Sequence, residues 1–143
     1  MPCYHHTKTK GDLGVMKVKL DLLQKGYMIL HPETEHAPFD LVAYNDGKFL
    51  RIQVKYIEEN ANGALRVRFT RRWTNSKGGQ TRPIDKDAID LYCVYCPDTD
   101  TCYYIDPKKF GNSVKIRTRK CKFKTSPHEH KASDFLSIVV QDN

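Results

Sequence analysis

The chain has 143 residues, 39% of them apolar and 29% charged, with a formal net charge of +7, which fits a single folded domain over residues 1–143. No apolar run approaches the roughly 20 residues needed to span a bilayer, and the opening Met1-Pro2-Cys3-Tyr4-His5-His6-Thr7-Lys8 lacks the apolar stretch of a secretory signal, so no membrane is expected and a cytoplasmic location follows. The 24 Lys and Arg against 17 Asp and Glu point to a polyanionic partner, and the odd set Cys3, Cys93, Cys96, Cys102 and Cys121 reads as reduced thiols rather than a disulfide framework.

Residues 1–10, with His5, His6, Lys8 and Lys10 and little to bury, read as a loosely docked lead-in. A helix is expected over residues 12–24, because Leu13, Met16, Leu20 and Leu23 recur at the steps of one helical face. Val18 and Leu22 widen that stripe, Lys17, Lys19 and Asp21 lie largely away from it, and Gly26 suits a C-cap. Residues 27–30 form a first short strand, and 31–38 a loop with Pro near both ends. Residues 39–44 and 49–56 read as two strands joined by Asn45-Asp46-Gly47-Lys48, the strongest hairpin signal in the chain.

A further arm over 64–70 follows the Asn62-Gly63 turn, and residues 71–83 read as a basic, Gly-containing loop. Residues 91–96 and 101–105 make another pair of strands around Pro97-Asp98-Thr99-Asp100. Residues 107–110 fit one helical turn, 114–123 a basic strand, and 132–140 a short helix or strand. No internal repeat or linker divides the chain. The fold class expected is α/β, in the sense of an α+β mixed sheet with β-ribbon and loop extensions.

Chemistry concentrates on the first hairpin. Strand alternation puts Leu50, Ile52, Val54 and Tyr56 on one face and Arg51, Gln53 and Lys55 on the other. With Asp46-Gly47 as the central turn residues, Asn45 pairs with Lys48 and Asp40 falls across from Gln53 on the polar face. Opposed residues have Cβ atoms about 4.5–5.5 Å apart, close enough to share one cation. Asp40, the Gln53 amide oxygen and the Val54 backbone carbonyl form an oxygen set suited to Mg²⁺ or Mn²⁺. Such an ion polarises a scissile phosphate and activates water, while Lys55, one pleat further on, can orient or deprotonate that water. The same trio would also serve as an ordinary wet face, and a one-residue slip of register would scatter it.

Two basic stretches suit DNA. Arg66 and Arg68 share a strand face opposite Leu65, Val67 and Phe69, and the chain runs on through Arg71, Arg72 and Trp73 to Lys77 and Arg82. A ribbon with an Arg-rich face fits the major groove, where Arg pairs bidentately with guanine. A second run, Lys115, Arg117, Arg119, Lys120, Lys122 and Lys124, suits phosphate contacts. Cys93-x-x-Cys96 with Cys102, His128 and His130 has zinc-like spacing, yet alternation sends Cys93 and Cys96 to opposite faces, so buried thiols are the simpler reading.

Pro38-Phe39-Asp40 followed by Gln53-Val54-Lys55 resembles the PD-(D/E)xK nuclease signature, with Gln in the (D/E) place, and the helix–strand–hairpin order resembles that superfamily's restriction-endonuclease-like αβββ core. Over most of the chain the segments Lys10-Gly11-Asp12-Leu13-Gly14, Ala37-Pro38-Phe39-Asp40-Leu41-Val42, Phe49 to Tyr56 and Ala88 to Pro97 are similar to the small homing endonucleases encoded in bacterial group I introns. The resemblance implies site-specific double-strand cleavage of DNA by a symmetric homo-oligomer, dimer or tetramer, with Asp40, Gln53 and Lys55 as catalytic residues. It also implies an acid on the first helix. Val15 stands where a Glu is expected, and Asp12, one turn earlier, either takes that place or only starts the helix. Two other functions fit the same residues: a structure-specific nuclease such as a Holliday junction resolvase, or a sequence-specific DNA-binding protein on an inactivated nuclease scaffold.

Overall fold

The computed structural model describes residues 6–119 and 129–139. Asp46 and Gly47 sit at φ 49° and 78°, the left-handed pair whose twist matches that of a hairpin. They join β2 (Leu41–Asn45) to β3 (Lys48–Tyr56), with Asn45 opposite Lys48 and Leu41 opposite Ile52. β1 (Met28–Leu30) adds to the outer edge of β2.

The other edge of β3 takes a distant partner. It pairs in parallel with β7 (Leu91–Cys96), which in turn pairs antiparallel with β8 (Thr101–Ile105), giving a five-stranded sheet in the order β1-β2-β3-β7-β8. A smaller three-stranded sheet is made of β4 (Ala64–Arg68), β9 (Ser113–Arg117) and β10 (His130–Lys131). β5 (Thr70–Asn75) and β6 (Gly78–Pro83) form a separate two-stranded ribbon. Single 3-10 turns span Lys86–Ala88, Pro107–Lys109 and Ala132–Phe135.

The alternation of side chains across the large sheet splits the core in two. On one face Leu50, Ile52, Val54, Cys93, Tyr95 and Tyr104 pack beneath α1 (His6–Gln24). On the other, Tyr92, Val94, Cys96, Tyr103 and Ile105 meet Leu65, Val67, Val114 and Ile116 of the small sheet. Strands buried on both faces read as continuous apolar runs, and all of β7 is buried. Cys93 and Cys96 thus enter different cores. With Cys102 they are free and buried, and no metal-binding cluster of His, Cys, Asp or Glu occurs among the described residues.

Three expectations need correction. The helix begins at His6, within the segment expected to be a lead-in. Its inward face is also not the stripe of Leu13, Met16, Leu20 and Leu23, whose side chains are 42%, 60%, 52% and 58% exposed. The sheet is met instead by Gly14, Val18 and Leu22, with Gly14 buried against Tyr56, whose Cβ would lie at an ordinary packing distance of 3.5 Å from a Cβ added at the glycine. Polar contacts flank this seam: Lys10 to Glu58 at 2.7 Å, Lys17 to Asp100 at 2.9 Å, and the Tyr104 hydroxyl to Asp21. The charged residues therefore dock the helix and its most apolar face is left outward, a reversal that the spacing of apolar residues alone does not reveal.

The third correction concerns residues 64–83. β4 does not extend the first hairpin, because the free edge of β3 is taken by β7; it pairs with β9 instead. Residues expected as a basic loop form the β5–β6 ribbon, which a backbone ladder holds together with few apolar side chains. The expected basic strand over 114–123 is seen as β9, while Lys120, Lys122, Lys124, Cys121 and His128 lie outside the described residues.

Helix docking gives a direct test. Leu22→Ala, at a site that is 0% exposed, is expected to cost about 2–5 kcal/mol, whereas Leu20→Ala is expected to change stability by no more than about 0.5 kcal/mol. Urea denaturation at low protein concentration checks both, and a cost at Leu20 equal to or above that at Leu22 would overturn the docking face described.

Candidate active site

The turn brings Asp40 to the end of β2 beside β3. The Asp40 N–H donates to the Ile52 carbonyl at 2.9 Å, although Ile52 is already the register partner of Leu41. Two residues therefore stand against one, a bulge of the kind that re-aims a side chain. Asp40 Oδ2 accepts the Gln53 Nε2–H at 3.0 Å and the Val54 backbone N–H at 2.8 Å. Among the described residues no hydrogen bond falls on Oδ1, and no buried side-chain oxygen is left unpartnered, so Oδ1 is turned to the open side.

Gln53 gives its amide nitrogen to Asp40 and keeps its carbonyl oxygen for another partner. In a strand the N–H and C=O of one residue point the same way, so the Val54 carbonyl is directed to the same edge, past the start of β2. The donor set left over is two or three hard oxygens, which fits Mg²⁺ or Mn²⁺ with water or phosphate completing the shell.

Lys55 and Asp40 border one cleft of about 620 Å³ together with Gln53 and Tyr92. Burial pushes the Asp40 carboxyl above its usual range, against the opposing pulls of the Val54 N–H and the Lys55 charge. Burial likewise pulls the Lys55 ammonium below its usual range, and Asp40 partly restores it. Each group is held partly dry, burial outweighs the charge its neighbour offers, and an added cation at Asp40 or anion at Lys55 would relieve it.

Tyr92 pairs with Gln53 across the β3–β7 contact, and its hydroxyl lies 3.4 Å from the Thr70 carbonyl. Burial first, then the Asp40 charge, push this phenol up to about 12, so it remains a donor near neutrality. Tyr92, Glu35 and Asp85 border the cleft without having been picked out from sequence. The parallel pairing of strands almost forty positions apart leaves no local signal, and Glu35 and Asp85 stand in stretches that read as loop.

The opposite wall of the cleft is the ribbon. Arg71, Arg72, Trp73 and Arg82 border it, and the Arg82 guanidinium carbon lies 4.8 Å from the centre of the Trp73 ring. Lys77 is exposed in the turn at the ribbon's tip. Arg66, Arg68 and Lys115 are exposed on the small sheet, with Arg66 directly opposite Lys115, and none of them borders this cleft.

Arg117 and Arg119, expected to grip phosphates, are engaged by carboxylates in the free chain. Arg117 makes two short bonds to Glu129, at 2.7 and 2.6 Å, and Arg119 reaches Glu59 at 2.8 Å. Glu129 falls below the usual carboxylate range, chiefly through the Arg117 hydrogen bonds. Asp12 is exposed on α1 and does not border the cleft, and Val15 packs against the core. The possible helix acid is therefore absent from the cleft in both positions.

A desolvated acid, an amide and a lysine thus meet at the end of a bulged hairpin, beside a wall of arginines. Residues 5–138 match the sequence profile of the PD-(D/E)XK endonucleases, and the chain belongs to that family. The fold is similar to that of the bacterial homing endonuclease I-Ssp6803I, with a TM-score of 0.70 and 18% identity over 91% of this chain and 88% of that one. No curated protein matches the chain by sequence.

The electrostatics give the next prediction. Lys55→Met keeps the length of the side chain and removes a charge that burial disfavours, so a melting temperature a few degrees higher is expected near neutral pH. Below the lowered pKa of folded Lys55 the wild type carries this cost in full. As pH rises from there towards 10.5, the value in the unfolded chain, the difference should shrink. A variant no more stable than wild type at pH 7 would show that Lys55 is adequately solvated.

Proposed function

We propose that this chain is a site-specific homing endonuclease that cuts both strands of duplex DNA with Mg²⁺ or Mn²⁺, acting as one nuclease domain in the cytoplasm. The observation that carries the reading is Asp40, with one carboxylate oxygen held by Gln53 and Val54 and the other left to a cleft shared with Lys55. Asp40 Oδ1, the Gln53 carbonyl and the Val54 carbonyl would hold the cation. Bound there, it supplies Lewis-acid polarisation of the scissile phosphate. Lys55 orients the attacking water; neutral, it takes the water's proton, and charged, it stabilises the negative charge growing on the phosphoryl oxygens. Tyr92 stays protonated beneath Gln53 and keeps the floor of the cleft in place. The arginines of the ribbon, with Arg66, Arg68 and Lys115 beyond, supply the positive surface for the duplex.

Cutting two antiparallel strands with one kind of site calls for two copies related by a two-fold axis. The outward stripe of Leu13, Met16, Leu20 and Leu23 supports a homo-oligomer, because surfaces this apolar are usually covered. Double substitution Leu20→Glu with Leu23→Glu is expected to yield a folded monomer by light scattering. An unchanged mass would place the contact elsewhere.

The missing helix acid supports a second reading, a DNA-binding protein on this scaffold without catalysis. Incubation of the chain with a random duplex library and Mg²⁺ or Mn²⁺, followed by sequencing of new ends, separates the two. Defined ends that fall by roughly 10²–10⁴-fold in Lys55→Ala and Asp40→Asn are expected. Duplex binding with no ends under either metal overturns the nuclease reading, and cutting of four-way junctions regardless of sequence would make the chain a resolvase.

A further inference from the structure

The ribbon carries no core of its own. Among the described residues β5 and β6 pair only with each other, and most of their residues are exposed. The place of this arm over the cleft is therefore set where its two feet enter the body. The incoming foot is Phe69, the single residue between β4 and β5. It is 2% exposed, its N–H donates to the Asn112 carbonyl at 3.0 Å, and its carbonyl accepts the N–H of Ile84, the outgoing foot, at 3.1 Å. Its ring meets Tyr92 edge-on, with centroids 5.2 Å apart and planes at 88°. Lys86 lies over the same ring, with Nζ 5.3 Å from the centroid. That ammonium also donates to the Phe110 and Gly111 carbonyls, at 2.6 and 2.7 Å.

We infer that Lys86 is a positioning residue: by fastening both feet of the ribbon to the chain at Phe110 and Gly111, it fixes the tilt of the ribbon over Asp40 and Lys55 and so selects which phosphodiester is cut. Three attractions, one ring face and two carbonyls, converge on one half-buried ammonium, and each is stronger for being charged and partly dry. The contact sits at the fulcrum. With roughly 3.3 Å per residue, the strand from Thr70 to Asn75 reaches about 17 Å. A tilt of about 10° at its root moves the tip by roughly 3 Å, close to the spacing of about 3.4 Å between successive phosphates along the duplex axis. Through Phe69 the same contact reaches the catalytic floor, because Tyr92 is the register partner of Gln53. Lys86 does not border the cleft, so it acts through the ring and not on the substrate.

This inference rests on the duplex-cutting reading, and one of its two readouts needs no cutting. Trp73 is the single tryptophan of the chain and lies on the ribbon, so the time-resolved anisotropy of its fluorescence reports the ribbon's swing. Lys86→Met, which keeps the apolar stem and removes the charge, is expected to enlarge the fast part of this decay. On a duplex that the wild type cuts at a single bond in each strand, the variant should spread its ends over neighbouring bonds. Its kcat should be lower by roughly 10- to 100-fold with KM unchanged. Lys86→Arg, able to cover the same ring and carbonyls, should restore the single bond. Ile116→Val, a loss of packing in the same core at a 0% exposed site, should alter neither readout. The inference is overturned if Lys86→Met cuts the wild-type bond at the wild-type rate, or if Ile116→Val spreads the ends as widely. It is equally overturned if Lys86→Met binds duplex more weakly, with a salt slope smaller by about one and an unchanged Trp73 decay, the mark of a direct phosphate contact. A wild type that yields no ends with either metal removes the nuclease reading instead, and the Trp73 decay then decides by itself whether Lys86 holds the ribbon.

Discussion

The parallel contact between β3 and β7 is the constraint on which the rest of the molecule depends. It joins the first hairpin to the second, puts Tyr92 beside Gln53, and creates a sheet with two dry faces at its centre. A parallel pair needs a long crossover, and here that crossover holds β4, the ribbon and the turn before β7. Arg51 anchors the start of the contact. Its backbone N–H, Nε and Nη2 all donate to Asp90, at 2.8, 3.0 and 3.1 Å, and the Asp90 N–H returns a bond to the Arg51 carbonyl at 2.9 Å. Burial alone would raise the Asp90 carboxyl, but the Arg51 bonds hold it below its usual range. A bidentate, partly buried pair of this sort fixes geometry better than a flexible surface ion pair does.

Three polar residues at alternate positions of β3 thus have unlike fates. Arg51 is locked to a carboxylate, Gln53 leans on Asp40 with half of its amide, and Lys55 keeps a disfavoured charge at the end of the row. Polarity that serves the fold passes, along one strand, into polarity that burial disfavours.

Much of this was legible in the chain because it depends on local chemistry. Asp46-Gly47 specifies one turn, the turn specifies the register, and the register carries Asp40 to Gln53; the 91–96 and 101–105 strands were equally plain from their apolar runs. The bulge at Asp40 was not legible, since it arises from how the incoming chain meets Ile52. The docking face of α1 was misread because its inward contacts are made by Gly14, Lys17 and Asp21 as much as by Val18 and Leu22, so apolar periodicity pointed to the wrong side. The ribbon was missed for a related reason: Arg71 to Pro83 has almost no alternation of apolar and polar residues, and only the pairing of its backbones makes it a strand pair. Ion pairing also hides in sequence, where nothing marks Glu129 and Glu59 as the partners of Arg117 and Arg119.

The short turn has a consequence for how the chain can change. Asp40 and Gln53 are 13 positions apart, and every residue from Leu41 to Ile52 lies in a strand or in the turn between them. A single insertion or deletion in that stretch would exchange the wet and dry sides of one strand and part the acid from its amide. Residues 31–38, upstream of the acid and outside any ladder, carry no such ruler. Descendants of this sequence are free to differ in length before Asp40, and bound to one length after it.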